Sequence, residues 1–294
     1  ADIVTASLQA QQEGSVSIRL VGDARTLDEA VRQLGASPTE LEILHADQIV
    51  GRRENGARAM KIKKNTSLQM AVVASLSADE PLISFGNGNA LREVVRQLLS
   101  MPGRLCPFAG RLTYDQHEVT VLDVGSYVHT TGSQLVQFGL MGSVLHTLTT
   151  GKVKPSVGLL SSESSVSHCP DQLREAHLGL HEKCVNYVGL VTADQIASEP
   201  ADVLVMDAQF GAFFRKRELH FQQSADHAQQ RTTGLPWRAI FSRAPKTADN
   251  TFGLDFRSML ALGTRNVVVH RPDAANAQHV FGAIQEAVYF HELD

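Results

Sequence analysis

Cysteine is scarce. Cys106, Cys169 and Cys184 are three in 294 residues, an odd number far apart in sequence. That excludes a disulfide framework or a CxxC zinc site, and a reducing cytoplasm is the simplest setting. The chain also lacks any apolar run approaching the roughly 20 residues that a membrane-spanning helix requires. It shows no leader with a basic start and an apolar centre. Twelve histidines are present, yet none stands in HExxH or comparable ligand spacing, so no metal is expected. Lys and Arg number 27 against 31 Asp and Glu, for a net charge of -4. The basic residues are scattered, which argues against a nucleic-acid surface. GxGxxG, GxxxxGK[ST] and GxSxG are all absent. With them goes the sequence signal for a dinucleotide loop, a Walker loop or a hydrolase elbow.

What is present is alternation. Residues 2–12 carry a helical apolar face through Ile3, Val4 and Leu8. Residues 17–23 then read as a strand. Thr26, with Glu29 three positions on, suits the cap of a helix over 27–34. A short strand is expected at 41–44 and an irregular polar stretch at 45–60. Thr66 or Ser67 can cap the next helix, and LISFG forms a strand before a helix at 91–99. Further strands are expected near 119–122, 156–160, 186–191, 201–207 and 266–270. Helices are expected over 132–148, 171–182 and 277–290, with a short one near 193–196. FRSMLALG suggests a buried helical turn, and residues 215–250 are polar and irregular. The alternation predicts a single domain over 1–294, a doubly wound α/β fold with a mostly parallel sheet.

The most informative segment is VLDVGSYVHTTGSQLVQFGLMGSVL, residues 121–145. It reads as a buried strand, a small-residue turn and a helix whose glycines at 132, 139 and 142 serve close packing. Asp123, Gly125, Ser126 and His129 fall at the strand-to-helix junction, where parallel sheets place binding groups. Asp123 suits orienting a polar group, Ser126 suits donation to an anion, and His129 suits proton exchange. Thr130, Thr131 and Ser133 are equally natural helix caps. In SFGNGNA, Gly86 and Gly88 permit a tight turn and close approach of amides to an anion. Asn87 and Asn89 add donors there, while a plain structural turn fits the same letters. SSESSVSHCPDQ, residues 161–172, contains Ser, His168 and Cys169 but reads as a solvated loop. Beyond the 201–207 strand, Arg215, Lys216 and Arg217 offer phosphate neutralisation or simply a solvated helix start. LPWRAIFSR is short for membrane contact. His270 and Arg271 follow a strand, a position that suits either anion binding or an ordinary turn.

The order of these loops resembles the PlsX-type phosphate acyltransferases of bacterial phospholipid synthesis. LDVGSYVHTTGSQLVQFGLMG stands where that family has DxGAN followed by LxQFAxMG. LISFGNGNALREVV is similar to its strand and SAGNTGA loop. NYVGLVTADQIASEPADVLVMDAQFGAFFRKREL matches NYxGxxE…DVxVxDGFxGNxxLK, and GTRNVVVHRPDAANAQHVFGAIQEAV matches GxxVxxSHGxAN with its helix. The resemblance covers roughly residues 3–288, with a shortened, divergent stretch around 218–252. The chain departs from the pattern where chemistry is expected. The opening DxMGGD loop has no counterpart, GAN has become Gly125-Ser126-Tyr127, and the asparagine of GFxGN is lost at Ala212. SHG has become His270-Arg271-Pro272, while Ala275-Asn276 survives nearby.

The resemblance implies a subunit related to the isocitrate and isopropylmalate dehydrogenase fold, forming a homodimer and using no cofactor. It implies transfer of a fatty acyl group from acyl carrier protein to inorganic phosphate. Membrane contact is peripheral, and weak here because the apolar hairpin is reduced. On this reading Asn87, Asn89, Ser126, His129 and Lys216 are the catalytic candidates. Gly86, Gly88, Gly125, Arg215, Arg271 and Asn276 are the phosphate-binding candidates. Two alternatives remain open: a non-catalytic scaffold that binds acyl carrier protein, and transfer to a changed acceptor in a specialised pathway.

Overall fold

A computed structural model of the chain describes residues 2–13, 16–51, 54–101, 103–114, 117–184, 186–192, 194–198, 201–214, 253–271 and 276–293. Two compact units divide it, Ala1–Cys106 with Arg257–Asp294, and Pro107–Phe256. The first carries α1 (Asp2–Glu13), β1 (Arg19–Gly22), α2 (Ala24–Gln33), β2 (Glu42–His45), α3 (Gly56–Ile62), α4 (Ser67–Ala78), β3 (Leu82–Phe85) and α5 (Gly88–Val94). The second carries β4 (Phe108–Tyr114), β5 (His117–Leu122), α6 (Gly132–Thr150), β6 (Val157–Leu160), α7 (Asp171–Lys183), β7 (Tyr187–Val191), α8 (Gln195–Ser198) and β8 (Val203–Val205). The chain then runs through β9 (Gly253–Ala261) and returns to the first unit with β10 (Val268–Arg271) and α9 (Ala277–Glu292).

Short polar side chains start most of the helices, because the first backbone N–H groups of a helix have no partner within it. Thr66 and Thr131 each form a capping box, with Gln69 and Gln134, at the starts of α4 and α6. The cap of α2 falls elsewhere than expected. Asp23 accepts from Thr26 N at 2.8 Å and from the Thr26 hydroxyl, so Thr26 lies inside the first turn. An aspartate directly after β1 starts the helix one turn earlier than the Thr26 reading.

In the first unit β1 pairs parallel with β2, β3 parallel with β10, and β10 antiparallel with β9. β9 replaces the helical turn expected for FRSMLALG. Met259 and Ala261 are buried and Ser258 and Leu260 partly exposed, the two-residue period of a strand. The core of this unit joins Ala6 and Ala10 of α1 to Val280 and Ile284 of α9, and Val269 of β10 to Ala283 and Ala287. α3 arises within the stretch expected to be irregular, capped by Asn55, which accepts from Arg58 N at 3.0 Å. α5 begins at Gly88, earlier than expected, and gives way to a π turn over Val95–Leu99.

In the second unit β4, which sequence reading did not foresee, forms an antiparallel hairpin with β5. β5 then pairs parallel with β8, β8 with β6, and β6 with β7. α6 lies close to this sheet because it carries glycine at the contact. A Cβ on Gly142 would sit 2.6 Å from Val203 Cγ1 and 2.8 Å from Leu122 Cδ1. The expectation of close packing by these glycines is met. Phe138 and Leu135 of α6, Leu180 of α7, Leu159 of β6 and Leu204 of β8 are each fully buried, or nearly so, in this unit. Parallel pairing sets the C-terminal ends of neighbouring strands side by side: Phe85 opposite Arg271 in one unit, Leu122 opposite Val205 in the other. The loops that leave these ends are the sequence-flagged loops.

A polar knot fixes the start of β8. The buried Asp202 carboxylate accepts from Lys152 Nζ at 2.7 Å, Ser156 N at 2.6 Å and Ser156 Oγ at 2.8 Å. Burial pushes this carboxyl up, but the hydrogen bonds from Lys152 and Ser156 outweigh it and hold it below the usual range. Asp202→Asn places an amide against these donors. It should cost about 2 kcal/mol at neutral pH, the scale for hydrogen bonds to a charged group. Because the folded pKa is the lower one, this contribution is present above about pH 4, the unfolded value. It is lost as pH falls through the folded pKa. Urea unfolding of both proteins across that window checks the expectation: the gap between them should close on acidification.

Candidate functional site

The exit of β5 is organised around one carboxylate. Asp123 is 0% exposed, and it accepts from Phe108 N at 3.0 Å, Tyr127 N at 3.0 Å and Ser126 N at 3.0 and 2.9 Å, along with the Ser126 hydroxyl. Burial pushes the Asp123 carboxyl up, and the donors from Ser126, Tyr127 and Phe108 work against that push. Ser126 is 1% exposed and its oxygen also accepts from Phe108 N at 3.2 Å. The expected donation from Ser126 to an anion is therefore replaced by donation to Asp123. The physical reason is proximity: a hydroxyl three residues from a buried carboxylate satisfies it first.

The chain folded round Asp123 meets the exit of β8. Residues 208–214 are helical, and Asp207 caps them by accepting from Phe210 N at 2.7 Å. A Cβ on Gly211 would run into the Asp123 carbonyl oxygen, so this contact admits only glycine. Gly125, at φ +95°, faces Ala212, and Ala208 N donates to Thr130 Oγ1 at 3.4 Å. Two loops from adjacent parallel strands are thus joined along their backbones. His129 is exposed beside them and makes no hydrogen bond to a described residue. Arg215 and Lys216 lie outside the described residues.

In the first unit the turn after β3 passes through Gly86 at φ +103° into Asn87, the cap of α5. Asn87 accepts from Ala90 N at 3.0 Å and gives its two amide hydrogens to Gly51 O at 2.7 Å and Glu54 O at 2.9 Å. Both of its amide hydrogens, the ones expected to meet a developing oxygen charge, go to carbonyls of the fold in this structure. Its partners Glu54 and Gly51 sit 33 and 36 residues upstream, where no sequence signal pointed to them. Asn89 is exposed on the first turn of α5. Gly88 lies against His270, whose Nε2 is 2.8 Å from the place of a Gly88 Cβ. His270 is 0% exposed, with Nδ1 3.1 Å from Ser84 O across the β3–β10 pair. Arg271 is buried beside it, its Nη1 3.5 Å from Ser258 Oγ. Asn276, expected to contact phosphate, caps α9 by accepting from His279 N at 2.9 Å.

Among the described residues no three His, Cys, Asp or Glu side chains are grouped to hold a metal ion, and no described helix is long and apolar enough to cross a membrane. Chemically, the described loops offer backbone amides at Gly86, Gly88 and Gly125 and the exposed side chains of Asn89 and His129, while Arg271 is buried at the end of β10. Asn87→Asp keeps the cap on α5 but removes both donors and sets a carboxylate against two carbonyls. It should lower stability by about 1–2 kcal/mol, as should Asn87→Ala, which removes the cap as well. Urea unfolding reads the loss. Hydrogen exchange separates the variants, because the Ala90 amide should stay protected in Asn87→Asp alone.

The family model described as "Fatty acid synthesis protein" matches residues 1–294. A phosphate acyltransferase of Coxiella burnetii (strain Dugway 5J108-111) is 30% identical over 260 residues, covering 85% of this chain and 76% of that protein. One from Shewanella sp. (strain W3-18-1) is 33% identical over 300 residues, covering 97% and 87%. A solved phosphotransacetylase from Streptococcus pyogenes aligns with a TM-score of 0.66 at 12% identity, over 99% of this chain and 90% of that one. A putative 4-hydroxythreonine-4-phosphate dehydrogenase from Salmonella typhimurium gives 0.54 at 12% identity, over 100% and 94%. These last two likenesses concern fold alone, and they agree with the expected α/β class. With its whole length matched and its loops in the order the sequence suggested, the chain belongs to the fatty acid synthesis protein family, the PlsX type.

Proposed function

We propose that the protein transfers a fatty acyl group from the thioester of an acyl carrier protein to inorganic phosphate, giving an acyl phosphate. The observation that carries this reading is the family match over residues 1–294, joined by relatives of 30% and 33% identity that bear the name phosphate acyltransferase. The geometry supports it by setting glycine-bearing turns at the C-terminal ends of parallel strands, where backbone amides can reach an oxyanion.

In the reaction a phosphate oxygen attacks the thioester carbonyl carbon. The new C–O bond forms, the C–S bond breaks and the carrier leaves as a thiolate. A thiolate is stable enough that the step needs no strong acid, and direct attack needs no acyl-enzyme. Stabilisation of developing oxygen charge falls to preorganised donors. Each unit carries candidates of its own: in the first these are the amides of Gly86 and Gly88 and the Asn89 side chain, with Arg271 as a candidate for holding phosphate. In the second they are the Gly125 amide and His129, with Arg215 and Lys216 downstream neutralising phosphate charge. Asn87, Ser126 and Asn276 act as supports of the loops. The same reading takes the protein as a cytoplasmic homodimer with weak peripheral membrane contact and no cofactor.

A second reading, a non-catalytic scaffold that binds acyl carrier protein, is favoured by one observation. The Asn87 amide hydrogens and the Ser126 hydroxyl, the donors nearest the turns, are engaged inside the fold. A changed acceptor is the third. Mass spectrometry of the full chain mixed with acyl carrier thioester and phosphate decides among them. Acyl phosphate formation is the expected result. Loss of thioester to free fatty acid at the same rate without phosphate would show hydrolysis, and carrier binding without turnover would support the scaffold. With turnover established, His129→Ala should raise KM for phosphate about tenfold, the loss of one charge-assisted contact. An unchanged KM would remove His129 from the phosphate site.

A further inference from the structure

Within the second unit, α6 has one face that no described residue covers, at the end far from His129. Leu140, Val144 and Leu148 recur every four residues and are 37%, 61% and 54% exposed. A groove of 390 Å³ runs along them, lined also by Pro155, Lys154 and Lys183. That volume lies in the range of small-molecule pockets. The hydroxyls in its lining are turned back on the helix: Ser143 donates to Gly139 O at 2.9 Å and Thr147 to Ser143 O at 2.9 Å. Asn186 donates to Lys154 O at 3.1 Å. The groove therefore presents methyl and methylene groups along its length.

Two charges interrupt that apolar lining, and both are positive. Lys154 and Lys183 make no ion pair or side-chain hydrogen bond with a described residue, whereas neighbouring Lys152 is held by Asp202 at 2.7 Å. No carboxylate of a described residue lines the groove. An apolar trough with unopposed ammonium groups complements a molecule that is a hydrocarbon chain at one end and an anion at the other. From Leu140 to Leu148 the stripe is about 12 Å long at the rise of an α-helix, the reach of a medium-length alkyl chain. A second copy of this chain fits less well. A two-fold contact brings the same patch to itself, and the described residues of that patch include no carboxylate to pair with the lysines.

We propose that this groove binds the monoanion of a single-chain fatty acid, with the alkyl chain along Leu140, Val144 and Leu148 and the carboxylate at Lys154 and Lys183. The site is separate from the strand-exit loops and does not depend on acyl transfer. Isothermal titration of the full chain with monomeric sodium decanoate tests it. Saturable binding to one site per chain is expected. Affinity should fall about tenfold when both lysines become glutamine, the loss of charge-assisted contacts, and uncharged decanol should bind about tenfold more weakly than decanoate. Val144→Glu, at an exposed position, should weaken binding similarly, while Lys183→Arg should retain it. Circular dichroism confirms that each variant is folded. Absence of binding, equal affinity for decanol, or unchanged affinity in both the glutamine and Val144→Glu variants overturns the proposal. So does sedimentation showing a wild-type dimer that Val144→Glu converts to monomer, which gives the groove to a second copy. The titration requires no turnover, so a failed acyl transfer assay leaves its outcome intact.

Discussion

A carboxylate with no access to water organises the second unit. Asp123 carries its acceptor oxygens into the interior at the end of β5, and burial without partners would be costly for either protonation state. The chain solves this by wrapping residues 123–127 around the side chain, so that amides from Phe108, Ser126 and Tyr127 all point inward. That wrapping fixes where Gly125 turns and how close the next loop approaches. Gly211 then fits against the Asp123 carbonyl, where any side chain would collide. Loop geometry at the exits of β5 and β8 is in this sense a consequence of satisfying one buried acid.

The first unit follows a parallel logic with an amide in place of the acid. Asn87 caps α5 and at the same time holds Gly51 and Glu54 through their carbonyls. Side chains that look ligand-directed in a polar, glycine-rich stretch are the ones best suited to supporting such a stretch, because short polar groups satisfy nearby backbone first. What these supports leave for a ligand is backbone amides and exposed side chains. The separation between supporting and available groups gives the acyltransfer reading its shape and the scaffold reading its force. The groove on α6 shows the reverse pattern, with hydroxyls turned inward and lysines that pair with no described residue.

Most of the regular structure was legible because period and punctuation agreed. The 19 residues of α6 show a threonine cap, a glutamine three positions into the helix, and a terminal glycine, each with a local cause that needs no tertiary partner. β8 was legible as a run of buried aliphatics. Failures came where a short apolar run fits two periods. FRSMLALG reads as a helical turn alone and becomes a strand because β10 offers it a ladder. β4 was missed for the same reason, since its pairing with β5 is what makes it a strand. Thr26 lost the cap of α2 to Asp23, where two good capping residues stood three apart and the end of β1 chose between them.

By itself the sequence determined the α/β alternation, the loops that carry polar chemistry, and, through their order, the family. Those features are written in local spacing, which survives without knowledge of contacts. The tertiary structure alone decided which polar side chains are engaged and which remain for a ligand. Ser126 and Asn87 have the right chemistry for an anion, but hydrogen bonds are claimed by the nearest unsatisfied partner. For Asn87 that partner lies more than 30 residues away along the chain, and distance in sequence says nothing about distance in space.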